Sequence, residues 1–355
     1  MRSFAPLRRA VDMLAPAHMP MGDVRVRENG REVFSYQAGF RDAERRVPID
    51  GTEVYPAYSM TKLLIAALLL QALDEGKVRL DDRLEDYIPE FGEMNVREII
   101  GRQVTVRQSR TPITVLHLIT MTAGFSYNLN YLGRQLPTVG SVAQLATHPL
   151  SFEPGSHWQY SLCHDVLGAL LEVAYGKKLR ELFRERFYAP LGMENTCLLG
   201  ELKDMSLLTP QFKAVNGGYV PCETNTGFTP CPEYDSAGAG LVCTAGDYAL
   251  FLDAFASGKL VKGDVVPLLR KYALTGVQAS DMSWPQLKGY SYTLGMRIPA
   301  ESGVNDFGWG GAAGAYALID FDRKLSLTYF TNLMGGDEVL CHFSLRDALY
   351  ESLQN

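Results

Sequence analysis

A chain of 355 residues, 46% of them hydrophobic and 21% charged, has the composition of a globular protein and is long enough to bury a large core. Its formal net charge is −6 at pH 7, and no run of lysine and arginine is longer than two residues. Because nucleic-acid binding depends on clustered positive charge, we expect no nucleic-acid partner.

The N-terminal part of the chain contains three strong local patterns. Residues 4–14 have the spacing of an amphipathic helix, interrupted by charges that rule out a signal peptide. Residues 23–40 alternate apolar and polar around Asn29-Gly30, which predicts two antiparallel strands joined by a two-residue turn. Residues 60–73 are apolar on every side, which predicts a buried helix too short to cross a bilayer. We therefore predict a cytoplasmic protein with no membrane span.

The later elements follow from the same periodicities. We predict helices over residues 114–125, 160–176, 179–193, 245–259 and 339–353, and strands over residues 289–298, 312–321 and 324–333. The first of these helices is expected to stop at Gly124, and the third to halt at Pro190.

This order of elements predicts an α+β fold. One antiparallel sheet is built from both chain ends and covered by the terminal helices, with a mostly helical region inserted between the two halves. We treat residues 1–355 as a single unit. Its α/β part covers about 1–79 plus 276–355, and its mostly helical part about 80–275.

The strongest candidate for chemistry lies at the start of the buried helix. Ser59 occupies the expected N-cap position, where a serine ordinarily bonds the free N–H groups, and Gly76 predicts a left-handed end to the helix. Lys62 lies on the same helix face as Ser59, in a segment with almost no other charge. A buried lysine finds a partner or loses its proton, and a lysine of lowered pKa is one way to activate a serine. The S-x-x-K spacing therefore makes Ser59 a candidate nucleophile and Lys62 its partner.

Two further segments supply the other groups that such chemistry needs. Tyr160 lies between a Pro/Gly loop and a helix. It is a candidate proton carrier, because a phenol beside an ammonium ionises more readily; the alternative is a packed tyrosine. The segment GWGGAAG (308–314) places glycines at a strand edge, where a substrate can lie against the backbone. We expect the N–H groups of Ser59 and Ala312 to form an oxyanion hole.

Other kinds of site have little support. GWGGAAG mimics the dinucleotide pattern G-x-G-x-x-A, but a predicted hairpin follows it rather than a helix. No G-x-S-x-G nucleophile elbow and no H-E-x-x-H motif occur. The six cysteines and six histidines have no metal-ligand spacing, so we expect reduced cysteines, no metal and no cofactor. His164 and Asp165 are interpreted as structural.

Five motifs occur together along the chain. They are Y-S-M-T-K at 58–62, L-I-T-M-T-A-G-F at 118–125, F-E-P-G-S-H-W-Q-Y-S at 152–161, P-L-G-M at 190–193 and A-G-A-G-L-V-C-T-A-G-D-Y at 237–248. Together they resemble the serine hydrolases of the class C β-lactamase and penicillin-binding-protein superfamily, and within it the family VIII carboxylesterases and related acyltransferases. The resemblance implies a β-lactamase-like fold, with Ser59 as nucleophile, Lys62 as its partner and Tyr160 as the catalytic tyrosine.

Two motifs depart from the β-lactamases and peptidases of this superfamily. Residues 160–162 read Y-S-L instead of Y-x-N, and residues 309–311 read W-G-G instead of K-T-G or H-T-G. An indole thus replaces a cation that holds a substrate carboxylate, which costs about a ten- to hundredfold preference for anionic substrates. The residues expected to contact the substrate are Trp309, Gly310, Gly311 and Leu162.

The combined prediction is a serine hydrolase, a carboxylesterase or an acyl transferase, that forms an acyl-enzyme on Ser59 with small, uncharged esters. One alternative is a β-lactamase or a hydrolase of D-amino-acid peptides that uses the same site. Another is a catalytically silent relative that binds a ligand. In each case the partner is a small molecule, and the sequence leaves open the oligomeric state and whether Lys62 or Tyr160 is the resting base.

Overall fold

A computed structural model describes residues 2–15, 17–101, 103–133, 135–300 and 305–354. The strands are β1 (Met21–Glu28), β2 (Arg31–Gly39), β3 (Val54–Pro56), β4 (Asn95–Ile100), β5 (Gln103–Gln108), β6 (Cys197–Leu198), β7 (Gln211–Val215), β8 (Gly218–Cys222), β9 (Leu241–Thr244), β10 (Tyr290–Tyr292), β11 (Arg297–Pro299), β12 (Phe307–Gly310), β13 (Tyr316–Asp320), β14 (Leu325–Phe330) and β15 (Leu333–Met334). The helices are α1 (Ala5–Leu14), α2 (Thr61–Asp74), α3 (Val115–Ile119), α4 (Thr138–Ala143), α5 (Cys163–Tyr175), α6 (Leu179–Phe183), α7 (Ala189–Leu191), α8 (Ala245–Ala256), α9 (Val266–Lys271), α10 (Gly276–Ser280) and α11 (Glu338–Gln354).

Both ends of the chain build one antiparallel sheet. Among the described residues it has seven strands, in the order β10-β11-β12-β13-β14-β1-β2. β1 pairs with β14 from Asp23↔Phe330 to Glu28↔Leu325, so the two chain ends meet inside the sheet. α1 packs against α11 and β1, and α8 packs against β1, β13 and β14. This arrangement of helices and antiparallel strands confirms the predicted α+β class.

The first hairpin forms as the sequence predicts. β1 and β2 pair antiparallel, and the turn between them consists of Asn29 and Gly30, with φ of 51° and 84°. A type I′ turn needs positive φ at both central residues, which asparagine and glycine adopt with little strain. These two residues therefore set the register of the hairpin.

The predicted buried helix is α2. Every residue from Thr61 to Leu70 is buried, and Gly76 follows the helix with φ of 65°, as expected. The apolar side chains of α2 belong to the same core as those of the sheet, and the helix also contacts α5 and β12. Because α2 is apolar all round, the fold encloses it and carries its N-terminal end into the interior.

One prediction about strands needs correction, and two hairpins were not predicted. The part of the chain predicted to be mostly helical, about 80–275, also contains the hairpins β4–β5 and β7–β8. Residues 289–298, predicted as one strand, form the paired strands β10 and β11. Gly295 lies between them with φ of 83°, a conformation that reverses the chain and that glycine adopts without strain.

Two predicted helix ends are also wrong. The helix expected to reach Gly124 ends at Ile119, because the backbone of Met121 has left-handed φ of 57° and cannot continue an α-helix. The helix expected to halt at Pro190 continues into α7. Pro190 lies near the C-terminal end of this continuous helix, just after a π-helical turn at Arg184–Tyr188, and the helix ends one residue later, at Leu191, before Gly192 with φ of 71°.

In the described ranges, no helix is both long enough and apolar enough to cross a membrane. All six cysteines lie in these ranges, and each is free.

Candidate active site

A single 3₁₀ turn, Tyr58–Met60, leads into α2 and carries Ser59. Ser59 is not the N-cap that the sequence suggests, because Met60 holds that position and no side chain caps the helix. Thr61 fixes the turn instead. Its Oγ1 donates to the Tyr58 carbonyl at 2.6 Å and accepts from the Leu241 N–H at 3.0 Å. The Ser59 hydroxyl is therefore not used in capping.

Tyr58, the residue before Ser59, has a left-handed backbone with φ of 45°. Such a conformation costs a non-glycine residue on the order of 1–3 kcal/mol and concentrates at functional sites. The Tyr58 hydroxyl accepts a hydrogen bond from Gln211 Nε2 at 2.7 Å, and its ring packs edge-on against Phe228. These contacts hold the strained residue and fix the direction in which Ser59 leaves the turn.

The structure brings Lys62 and Tyr160 each within hydrogen-bond distance of Ser59 Oγ. The Tyr160 hydroxyl donates to Ser59 Oγ at 2.6 Å, and Lys62 Nζ lies 3.3 Å from the same oxygen. Lys62 Nζ also lies 4.8 Å from the centre of the Tyr160 ring. Tyr160 comes from the loop before α5, 101 residues from Ser59 in sequence. The arrangement gives one serine hydroxyl two neighbours that can exchange a proton with it.

Lys62 is completely buried and is held by a backbone carbonyl. Its Nζ donates to the Gly238 oxygen at 2.6 Å, and the Gly238 N–H donates to Asp165 Oδ1 at 3.3 Å. The same carboxyl oxygen accepts from the Tyr234 hydroxyl at 3.0 Å and from Ser236 Oγ at 2.9 Å. Burial raises the pKa of Asp165, while the charge of Lys62 and these hydrogen bonds act to lower it. The backbone of Gly238 thus connects a buried lysine, through its carbonyl, to a buried carboxyl group, through its N–H.

Gly238 has no room for a side chain. A Cβ there would lie 2.4 Å from Asp165 Oδ2 and 3.5 Å from Lys62 Nζ. Asp165 was interpreted from the sequence as structural, and its position near Lys62 was not predicted. The only sequence signal was an acidic residue in an otherwise apolar turn, five residues after Tyr160. The neighbouring His164 is fully buried, and burial, with a smaller effect of Lys62, holds its pKa well below the usual value.

The end of β12 lies against the turn that carries Ser59. A Cβ at Gly311 would lie 2.6 Å from the Ala57 carbonyl oxygen, two residues before Ser59. Gly308 has φ of 135°, and a Cβ there would lie 2.1 Å from the Ala317 oxygen of β13. The glycines therefore let this strand approach both of its neighbours closely. Ala312 follows the strand, and its N–H remains the predicted second oxyanion donor.

Aromatic rings surround the Tyr160 phenol. The Trp309 ring stacks on Tyr160 with centroids 5.8 Å apart and meets Tyr292 edge-on at 5.0 Å. The Trp284 ring lies 4.9 Å from Tyr160 on a tilted plane. The side of the site formed by Trp309 is therefore an aromatic wall.

A cavity of about 330 Å³ opens at Ser59. Trp309, Gly310, Gly311 and Ala312 line it, and further walls come from residues 284–287 and from α11. Leu162 was predicted to contact substrate, but its side chain is buried in the core at the start of α5 and does not line this cavity.

One guanidinium group, that of Arg297, also belongs to the cavity wall. It is bonded to the Asp306 carboxylate and donates to the Ala317 carbonyl at 3.0 Å, so its charge is already matched. In the part of the chain that the structure describes, no group of three or more His, Cys, Asp or Glu side chains is arranged to hold a metal ion.

The chain belongs to the Beta-lactamase family, whose model matches residues 9–349. Among its relatives, Esterase EstB from Burkholderia gladioli is 27% identical over 92% of this chain and 89% of its own length. Among solved structures, EstCE1, "a hydrolase with promiscuous acyltransferase activity", has a TM-score of 0.79 and 22% identity, covering 97% of both chains. Simvastatin Synthase (LovD) from Aspergillus terreus also has a TM-score of 0.79 and 22% identity, covering 99% of both chains.

These similarities confirm two of the predictions made from sequence. The structural neighbours confirm the β-lactamase-like fold, and the family match confirms the resemblance that rested on the five motifs.

Proposed function

We propose that the protein is a serine hydrolase of the esterase or acyltransferase type, which forms an acyl-enzyme on Ser59 with small, uncharged esters. The observation that carries the proposal is the position of Ser59 Oγ, 2.6 Å from the Tyr160 hydroxyl and 3.3 Å from Lys62 Nζ. Two similar proteins support it, since one is named an esterase and the other is described as a hydrolase with acyltransferase activity.

In the proposed reaction, Ser59 Oγ attacks the ester carbonyl carbon. The serine proton passes to the pair formed by Lys62 and Tyr160, which returns it to the leaving alcohol as the tetrahedral intermediate collapses to the acyl-enzyme. The N–H groups of Ser59 and Ala312 donate to the oxyanion that forms at each addition step. Water, or a second alcohol in acyl transfer, then attacks the acyl carbon and gives its proton to the same pair. The pair passes this proton to Ser59 Oγ as the acyl–Oγ bond breaks, which regenerates the free serine.

The walls of the cavity favour esters without a negative charge. A β-lactam or a peptide C-terminus would bring a carboxylate next to Trp309, which offers an aromatic ring in place of a cation. Arg297 is the guanidinium in the cavity wall, and it is already bonded to Asp306 and to the Ala317 carbonyl. Burying a carboxylate without a cationic partner is costly, so we expect β-lactams and D-amino-acid peptides to be poor substrates.

Replacing the nucleophile tests the proposal directly. In Ser59→Ala we expect kcat/KM on p-nitrophenyl butyrate to fall at least a thousandfold, because no oxygen remains to accept the acyl group. Ser156→Ala is the matched control. It removes a serine from the loop that also carries Tyr160, where the hydroxyl only donates to the Glu153 carbonyl. Activity of Ser59→Ala within tenfold of the wild type would refute the assignment.

Two further measurements separate the alternatives. Rates on nitrocefin or on D-alanyl peptides equal to those on esters would favour the β-lactamase or peptidase function. A fluorophosphonate probe should add one adduct mass to the wild type and none to Ser59→Ala. A wild type that gains no adduct would indicate a catalytically silent relative.

A further inference from the structure

We propose that the cavity contains a polar subsite, formed by Glu338, His342 and Gln286, that selects esters whose acyl chain ends in a hydrogen-bond donor, either a hydroxyl or an ammonium group. The proposal rests on the proposed function, because it takes the cavity that opens at Ser59 as the place of the acyl group. It adds the chemical class of that group.

The three side chains lie together in the cavity wall. Glu338 and His342 are four residues apart on α11 and therefore share one face of that helix. Gln286 comes from the loop before β10, and its Nε2 donates to Glu338 Oε2 at 3.1 Å. All three line the cavity that Ser59 and Tyr160 also line. A substrate held at Ser59 can thus reach polar groups supplied by the last helix of the chain.

His342 contributes a buried imidazole ring to the cavity wall. Its side chain is only 6% exposed, its ring stacks on Tyr316 with centroids 4.5 Å apart, and its Nε2 has no hydrogen-bond partner among the described residues. Burial, assisted by the charge of Arg297, lowers the pKa of His342 to about 3, so the ring is neutral at physiological pH. A neutral imidazole has one N–H, which can donate to the nearby Gly314 and Ala315 carbonyls, and one nitrogen that accepts. Because the ring forms part of the cavity wall, a donor bound in the cavity can reach it.

Glu338 is available for a ligand because α11 is capped by another residue. Asp337 Oδ1 accepts from the Leu340 N–H at 2.9 Å and so serves the start of this helix. Gln286 bonds to one oxygen of Glu338, which leaves the other oxygen as an acceptor. Burial raises the pKa of Glu338 to about 7, so the carboxylate form is present at neutral pH. This form accepts hydrogen bonds from hydroxyl and ammonium groups alike.

The remainder of the cavity fixes the apolar part of the substrate. Trp284, Trp309 and Phe343 line the same space and offer aromatic surface. An acyl group that matches both kinds of wall is an aliphatic chain with a polar end. A simple alkanoyl chain would instead place methyl groups against Glu338 and His342 and leave the second oxygen of Glu338 without a donor.

The test compares p-nitrophenyl esters of matched length. Chains of six to eight carbons are prepared in three forms: unsubstituted, with a terminal hydroxyl, and with a terminal ammonium. In the wild type we expect at least one substituted ester to exceed its unsubstituted partner in kcat/KM by tenfold or more. In the double variant Glu338→Gln, His342→Phe, which removes the charge and the acceptor but keeps the ring on Tyr316, this ratio should fall to about one.

Asp347→Asn is the matched control. It changes an exposed carboxylate on the same helix that pairs with its neighbour Arg346, and the ratio should stay at the wild-type value. Stoichiometric labelling of Ser59 by a fluorophosphonate shows that the double variant is folded. A double variant that is labelled and keeps the wild-type ratio overturns the proposal.

The outcomes separate this proposal from the proposed function. If unsubstituted esters are hydrolysed but no substituted ester is preferred at any length, the polar subsite is wrong and the esterase assignment stands. If the wild type hydrolyses no ester, the assignment fails, and calorimetric Kd values of the same esters for Ser59→Ala decide the subsite. Equal Kd values for substituted and unsubstituted esters would then overturn it, and a tenfold tighter Kd for a substituted ester would support it.

Discussion

Asp165 is a positioning residue in the proposed mechanism, since it touches neither Ser59 nor the cavity. It lies beside Gly238, whose carbonyl accepts from Lys62 and whose N–H donates to Asp165, and it also accepts hydrogen bonds from Tyr234 and Ser236. A carboxylate near an ammonium favours the charged form of the amine. Asp165 therefore contributes to the proton balance of the pair that serves Ser59.

We expect Asp165→Asn to lower kcat/KM on p-nitrophenyl butyrate about tenfold and to move the acid limb of its pH profile to lower pH. The amide oxygen still accepts from Tyr234 and Ser236, so the geometry is largely kept while the negative charge is lost. Asp247→Asn is the control, because Asp247 is also a buried carboxylate in the first turn of a helix and bonds Asn195 and Thr196 instead. A purely structural role would lower the melting temperature in both variants and leave both pH profiles in place.

At the scale of elements, the decisive contact is between β12 and the turn that carries Ser59. The strand reaches the turn because Gly311 presents no side chain to the Ala57 carbonyl. Its other end is fixed in the sheet by pairing with β13. The position of the proposed oxyanion donors thus depends on how closely two backbones approach.

We expect Gly311→Ala to reduce kcat/KM tenfold or more and to cost about 1–3 kcal/mol of stability. Its Cβ would lie 2.6 Å from a backbone oxygen, so the strand or the turn has to move. Gly218→Ala in β8 is the matched control, because a Cβ there meets no atom within 4 Å. The measurements are ester kinetics and urea unfolding. Equal activity in the two variants would show that the approach of β12 does not set the geometry of the site.

The elements that sequence patterns predicted well carry their signal locally. The Asn29-Gly30 hairpin and the all-apolar α2 are examples. The residues that specify the turn type, and those that give the helix its apolar pattern, each lie in one short stretch of sequence. Two elements inside the helical section, β4–β5 and β7–β8, were missed, since their strands are short and largely exposed. The backbone reversals at Gly295 and Met121 depend on tertiary contacts, which local propensity does not contain.

At the scale of the whole molecule, the candidate site also contains both kinds of residue: those that a local motif predicts and those that only the folded chain brings together. Ser59, Lys62 and Tyr160 stand in recognisable motifs, and the structure brings them together. Asp165, Glu338 and His342 come from two different helices and carry no motif, so only the folded chain shows that Asp165 lies beside Lys62 and that Glu338 and His342 line the cavity. A cytoplasmic location and the absence of a nucleic-acid partner stay predictions.

The stability of the whole molecule should depend on pH through Glu172, which lies on α5. Its Oε1 accepts from the Leu179 N–H at 2.8 Å at the start of α6. Burial raises the pKa of Glu172 to about 7 from its ordinary 4.5, and Asp235 adds to this effect. Leu179, Thr138 and Lys178 act in the opposite direction. Between pH 4.5 and 7 the folded chain therefore keeps a proton that the unfolded chain has released, and the free energy of unfolding falls as pH rises.

Glu172→Gln should remove this dependence, since the amide is neutral at every pH and its oxygen can still accept from Leu179. We expect the stability of the variant, relative to the wild type, to increase by about 2 kcal/mol between pH 5 and pH 8. Urea unfolding of both proteins at the two pH values measures this change. The contribution of Glu338, whose pKa is also about 7, is present in both proteins and cancels in the comparison. A difference between the proteins that is the same at pH 5 and pH 8 would mean that Glu172 ionises as readily in the folded chain as in the unfolded one.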